Sequence, residues 1–216
     1  YYDVPSNLKF SLLVHLLKKE NSDLAMVFSN TRRNADLLAG NLSKQRINVE
    51  IVHGGLDQKK RIRALEEFHC KGKGVLICTD VAARGLDIRG VTHVYNYDIP
   101  DSATDYIHRI GRTARAGKKG IAINLVSSRD YLNFNNVMQD EELNITREEL
   151  PFIERIDLDL RATFRKPCRS FSCRRGSFSR RDGFKSGSRR GPRGKGGSSS
   201  KRSSLGFKGK ARNAKN

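Results

Sequence analysis

The sequence has no tryptophan, only two methionines, and aromatic residues at 7% of its 216 positions, so any core must be built mainly from aliphatic side chains. Its four cysteines, Cys70, Cys78, Cys168 and Cys173, fit no metal spacing. The closest pair has four residues between them, and no second pair or histidine cluster stands nearby. Reduced thiols in a cytoplasmic setting are therefore expected, and no metal ligands. No apolar run approaches the roughly 18 residues of a membrane span, and neither a membrane partner nor a signal peptide is expected. None of the Gly-Lys pairs (Gly72-Lys73, Gly117-Lys118, Gly194-Lys195, Gly209-Lys210) is followed by Ser or Thr. That excludes the Walker A loop, which cradles nucleotide phosphates and places Mg²⁺.

Acidic residues are also scarce, and unevenly so. The chain carries 42 Lys and Arg against 23 Asp and Glu, a formal net charge of +19, which directs attention to polyanionic partners. Residues 1 to 166 hold 26 basic and 22 acidic side chains, whereas residues 167 to 216 hold 16 basic and one acidic, Asp182. The latter segment also has 9 Gly and 11 Ser, with Leu205, Ala211 and Ala214 as its aliphatics. It cannot bury enough to offset the entropy of ordering, so a disordered basic tail is expected over 167–216. The preceding body is large enough for a core without disulfide or metal staples. The first residue is Tyr1, and Tyr1 to Val4 reads as a strand already under way. A fragment lacking its N-terminal part is the expectation.

Within the body, helical and strand periods alternate. Ser6 is a candidate cap for a helix with Leu8, Leu12, Leu13, Leu16 and Leu17 on one face, and Leu24 to Phe28 follows as a buried strand. Thr31 opens a helix with Ala35, Leu38 and Leu42 inward, and a strand runs from Val49 to His53. Asp57 caps a helix carrying Ile62, Leu65 and Phe68, followed by the apolar run Gly74 to Cys78. Val91 to Tyr97 reads as a strand, Ser102 to Ile110 as a helix and Ile121 to Val126 as a strand. Ser127 with Asp130 forms a capping-box start for a last helix through Met138. Continuous apolar strands separated by helices of about ten residues imply a three-layer α/β domain with a mainly parallel central sheet. Ligands of such sheets bind at the loops beyond the carboxyl ends of the strands.

Three of those loops are more polar than a connector needs: Ser29 to Arg33, Thr79 to Asp87, and His108 to Gly117. In the last, Arg109, Arg112 and Arg115 recur every third residue between small residues. That spacing can aim two guanidiniums at a phosphate, and a solvated basic loop would show the same pattern. Gly54-Gly55 can bring backbone amides near a phosphate, or can be a plain turn.

TDVAARGLD at 79–87, HRIGRTARAG at 108–117, MVFSNT at 26–31 and HGGLDQKKR at 53–61 resemble, in order and spacing, motifs V, VI and IV and the Gln-x-x-Arg element of DEAD-box RNA helicases. The resemblance is to the second RecA-like domain of that family and covers residues 1–150, leaving 151–166 as an extension before the tail. It implies arginine-finger roles for Arg112 and Arg115 toward the γ-phosphate of ATP held by the other domain, and a coupling role for His108. Arg84 and Gly85 then meet the nucleotide, and Asp87 accepts a ribose hydroxyl. Thr79, Gly54, Arg32 and Arg61 fall where the family grips RNA or supports that grip, a contact with backbone rather than bases.

The implied cofactors are ATP and Mg²⁺, the ion held mainly by the missing domain. The implied partners are RNA, the N-terminal RecA-like domain of the same enzyme, and ribonucleoprotein complexes. The chain departs from the family at Ala114, commonly Gly, and at Gly55, frequently Asp, and it contains no Asp-Glu-Ala-Asp run. It thus holds half of an active site. A non-enzymatic RNA-binding module and a DNA helicase of the same superfamily are the competing classes. Arg112, Arg115 and Asp87 speak against the first, and the detailed motif VI string against the second. In the tail, Arg-Gly steps at 175–176, 190–191 and 193–194, interspersed with Phe171, Phe178, Phe184 and Phe207, suit contact with phosphates and occasional base stacking. A solubilising extension would have a similar composition.

Overall fold

The computed structural model describes residues 1–20, 23–86, 88–114, 119–140 and 143–164. Asp87, Arg115 and the tail from 165 onward lie outside the described residues. Six parallel strands form one sheet: β1 (Tyr2–Asp3), β2 (Leu24–Phe28), β3 (Val49–Val52), β4 (Gly74–Cys78), β5 (His93–Asn96) and β6 (Ile121–Val126), in the order β1-β6-β5-β2-β4-β3. The helices are α1 (Lys9–Lys19), α2 (Arg32–Lys44), α3 (Gln58–Lys71), α4 (Asp80–Ala83), α5 (Ala103–Ile110) and α6 (Tyr131–Met138).

The apolar runs become strands buried on both faces, and strand alternation divides their side chains between two cores. Ala25, Val27, Ile51, Ile77 and Tyr95 meet Leu12, Leu13 and Leu16 of α1 and Leu38 and Leu42 of α2. Leu24, Met26, Phe28, Leu76 and Cys78 face Ala64 and Phe68 of α3 and Ala82 and Ala83 of α4. A smaller cluster of Ile99, Tyr106, Val126, Phe134 and Val137 seats α5 and α6. Because every strand runs the same way, all their carboxyl ends open on one edge.

Thr31, Asp57 and Ser102 cap their helices as expected, each side chain accepting a backbone N–H from three residues on. Other expectations need correction. The cap of α1 is Leu8, with no side-chain hydrogen bond, so Ser6 does not serve. Ile62 is 47% exposed, and Ala64 takes the inward place on α3. Helix α6 begins at Tyr131. Asp130 does reach back as a capping-box partner, its Oδ2 accepting from Ser127 N–H (2.9 Å), and it also accepts from Ser127 Oγ (2.5 Å) and Lys9 Nζ (2.6 Å). Lys9 also lies over the Tyr97 ring, so a buried charge pair joins α1 to the turn before α6. Cys78 is a free, fully buried thiol, which burial pushes far above its ordinary pKa. Cys70 is exposed near the end of α3.

Residues 151–164 run along α1 and α2 as a strap. Ile156 N–H donates to Ser11 Oγ (2.9 Å), and Asp159 exchanges backbone bonds with the Asn41 side chain (2.9 and 3.0 Å). A Cβ on Gly40 would lie 3.1 Å from Ala162, so any larger residue there would push the strap outward by a few tenths of an ångström. Ile153, Ile156, Leu158 and Phe164 pack on the α1/α2 core. Truncation after Leu150 is expected to cost about 2–4 kcal/mol, roughly one or two buried aliphatic side chains. Truncation after Lys166 should shift thermal unfolding little, and equal midpoints for the two truncations would show that the strap adds nothing.

His93, at the start of β5, is buried with Nε2 unpartnered and stacks on Tyr95. Burial lowers its pKa from the ordinary 6.5. A depressed folded pKa favours the fold above about 6.5, and that contribution is lost as pH falls through the folded value. Urea midpoints of the wild type are expected to drop between pH 7.5 and 5.5 more steeply than those of His93→Gln; parallel slopes would contradict this.

Candidate functional site

The carboxyl-end loops of β2, β4 and β5 converge on one side chain. Arg109, in the last turn of α5, is 1% exposed, and a guanidinium so placed must have all its donors satisfied. Its Nε and Nη2 form a forked pair with Asp80 Oδ1 (2.6 Å) and Oδ2 (2.7 Å). Nη2 also reaches Asn30 Oδ1 (2.7 Å), while Nη1 donates to the Asp98 carbonyl (2.5 Å) and Asn96 Oδ1 (3.4 Å). Its cationic carbon lies 5.2 Å from the Phe28 ring centre. Asp98 completes the tie, its Oδ2 accepting from Ser29 Oγ, Asn30 N–H and Asn34 Nδ2 at 2.7–3.0 Å.

The clamp leaves other cations facing outward. Phe28, Asp80, Ala83, Arg84, Asp105, His108, Arg109 and Arg112 line a shallow, open cleft. Arg84 follows α4 and pairs with Asp105, and Gly85 has φ +76, a conformation that favours glycine. Arg112 Nη1 donates to the Leu86 carbonyl at 3.1 Å. Thr113 holds the next turn through its hydroxyl, near the Val91 and Thr92 carbonyls. The structure therefore brings Arg84, His108 and Arg112 to one cleft, with Gly85 following Arg84 in the chain but outside the lining.

A second group lies along the same edge at β3. A Cβ on Gly54 would sit 3.0 Å from the Arg32 guanidinium, so Arg32 packs directly over that turn. His53, buried beneath, accepts the Gly55 N–H at Nδ1 (3.0 Å) and meets Asp36 through Nε2 (3.2 Å). Thr79 caps α4 at the adjacent strand end, where its N–H meets the Val52 carbonyl (3.4 Å). Arg61 turns inward, donating to Gln58 Oε1 (3.1 Å) and the Ala82 carbonyl (3.0 Å), and so braces α4 from α3. Helix α4 links the two groups, with Thr79 at its start and Arg84 at its end.

With this geometry in view, residues 8–117 match the helicase conserved C-terminal domain. In structure the chain is similar to the Escherichia coli DEAD-box protein SrmB, solved bound to regulator of ribonuclease activity A. The two are 39% identical with a TM-score of 0.64, and the match covers 78% of this chain and 96% of that one. The chain belongs to the DEAD-box helicase C-terminal domain family. It is also 44% identical over 154 residues to the DEAD-box ATP-dependent RNA helicase CshA of Bacillus cereus, a match covering 71% of this chain and 29% of CshA. A Saccharomyces cerevisiae Dbp5 structure bound to RNA and ADP BeF3 is 34% identical with a TM-score of 0.61, covering 68% of this chain and 40% of that one. The chain thus spans under a third of the length of CshA.

For this DEAD-box domain, Arg109, grouped in the sequence with Arg112 and Arg115 as a phosphate-facing cation, is instead the buried clamp, and Asp105, which the sequence reading passed over, is an acid of the cleft. Among the described residues no group of three or more His, Cys, Asp or Glu could hold a metal ion, and no helix is long and apolar enough to cross a membrane. Ala114, noted above as a departure, stands at φ +55, a left-handed conformation that costs a side chain about 1 kcal/mol. Ala114→Gly is expected to stabilise the domain by about 0.5–1 kcal/mol in denaturant unfolding, some of the gain being offset by the freer unfolded chain. Destabilisation would show that the methyl group has a packing role.

Proposed function

We propose that this domain is the C-terminal half of an ATP-dependent RNA helicase, contributing charge-stabilising and RNA-backbone contacts to a site completed by an N-terminal RecA-like domain. The observation that carries the reading is the cleft at the clamp, where Arg84, His108 and Arg112 are presented together on a buried Arg109–Asp80 frame. Its guanidinium-rich lining and the open space at Gly85 fit a phosphate ligand. ATP, when bound, supplies a phosphoryl group whose transfer spreads charge over its oxygens. Arg112, tethered to the motif V backbone at Leu86, meets that charge together with Arg115; Asp87 accepts a ribose hydroxyl and Arg84 and Gly85 border the nucleotide. His108 relays the state of the cleft to the partner domain, and Mg²⁺ belongs with that domain.

On the β3 side, Thr79, Gly54 and Arg32 hold RNA phosphates and hydroxyls without reading bases, and Arg61 supports them through α4. The two groups share α4, so phosphate contact at one end and RNA contact at the other act on the same turn of helix. That shared turn supports coupling of hydrolysis to local duplex unwinding. The sixteen cations of the tail add sequence-insensitive attraction to the RNA backbone.

In a protein joining this chain to its N-terminal domain, Arg112→Ala is expected to lower RNA-stimulated kcat by about 10³-fold, the effect of arginine fingers generally. ATP affinity should change far less, because the contact matters most as charge develops. Equal losses in kcat and ATP affinity would make Arg112 a ground-state binding residue, and unchanged turnover would remove it from the site.

A further inference from the structure

Asp105 is an acid in a cleft otherwise lined for anions. The second acid there, Asp80, has both oxygens committed to Arg109. Asp105 Oδ1 pairs with Arg84 Nη2 and lies 4.0 Å from His108 Nδ1. Its Oδ2 accepts from the Ser102 hydroxyl, while its own N–H donates to the Ser102 oxygen, both at 3.2 Å. An acid in the first turn of α5 is favourable for the helix in any case, but the cap uses only one face of the carboxylate. The other oxygen is turned to the Arg84 guanidinium and the His108 ring of the cleft.

The capping arrangement fixes the carboxylate before Arg84 arrives, so the pair forms with little further loss of side-chain freedom. Both partners keep contact with solvent, their side chains 57% and 31% exposed, so the pair remains exchangeable. We propose that Asp105 is an internal counter-anion, holding Arg84 until an incoming phosphate displaces it and so setting the affinity of the cleft for phosphates. The proposal rests on the nucleotide reading above and deepens it. A phosphate entering the cleft must offer Arg84 a better partner than the carboxylate it already has, and the freed carboxylate then stays nearby as a like charge. Both effects weaken binding, and both disappear when Asp105 loses its charge but keeps its cap.

The test titrates pyrophosphate into this chain at low salt and follows the arginine side-chain N–H resonances by NMR. Asp105→Asn is expected to bind pyrophosphate about three- to five-fold more tightly, the upper range for one exposed ion pair. The gain should vanish in an Arg84→Gln background. Unchanged or weaker binding in Asp105→Asn, or an equal gain with and without Arg84, would overturn the proposal. Asp105→Ser, which keeps the backbone N–H that Ser102 caps, serves if the Asn variant fails to fold. In the unmutated chain, the Asp105 carboxylate and Arg84 resonances should move together in one saturable step, and movement of neither would also overturn the idea. Failure of the nucleotide reading appears separately, as unchanged turnover in Arg112→Ala.

Discussion

One buried guanidinium organises this domain's functional edge. Removing a charge from water is costly unless every donor finds a partner, and Arg109 finds five acceptors on three loops that are distant in sequence: Asn30, Asp80, and the Asn96–Asp98 stretch. The loops therefore cannot take up independent positions without leaving that charge uncompensated. Asp98 reinforces the constraint by binding Ser29 and Asn30 of the β2 loop and Asn34 of α2, and Asn96 extends it through Asn124 to the Tyr106 hydroxyl. The helix that carries Arg109 is thus tied back to the strands that precede and follow it.

With Asp80 consumed by Arg109, α4 has a fixed position, and its two ends present different chemistry. Thr79 opens it beside the Gly54 turn, and Arg84 closes it in the cleft. Arg61 braces its Ala82 carbonyl from α3. A short helix held by a part-buried ion pair on one side and a guanidinium on the other is suited to carry a displacement between the two proposed sites. The arginines divide accordingly: Arg109 and Arg61 are spent inside the protein, while Arg84 and Arg32 stand at its surface.

Much of the architecture was legible in the sequence, because it depends on local period. LAMVF and GVLIC become strands over the bounds their apolar runs mark, and Thr31, Asp57 and Ser102 cap as their chemistry requires. Elements set by tertiary partners were less legible. Asp130, read only as the partner of Ser127, also binds Lys9, a residue 121 positions away. The three arginines of motif VI look equivalent at their regular spacing, yet Arg109 faces the sheet from within α5 while Arg112 lies beyond the Gly111 cap. Their separation follows from where the helix ends. The role of Asp105 was hidden because its neighbour Arg84 comes from another loop altogether, whereas the departure at Ala114 was visible and acquires its meaning from the positive φ found there.

The clamp is tested most directly by amide hydrogen exchange on Asp80→Asn, which removes the carboxylate charge while nearly preserving shape. The Ser29 and Asn30 amides, those of Ala82 to Arg84, and those of Tyr97 and Asp98 are held in the three loops by bonds that the clamp aligns. Their protection is expected to fall together, with the β3 and α1 amides unchanged. Loss confined to Ala82–Arg84, with the β2 and β5 loops as protected as before, would contradict the claim that one ion pair holds the edge together.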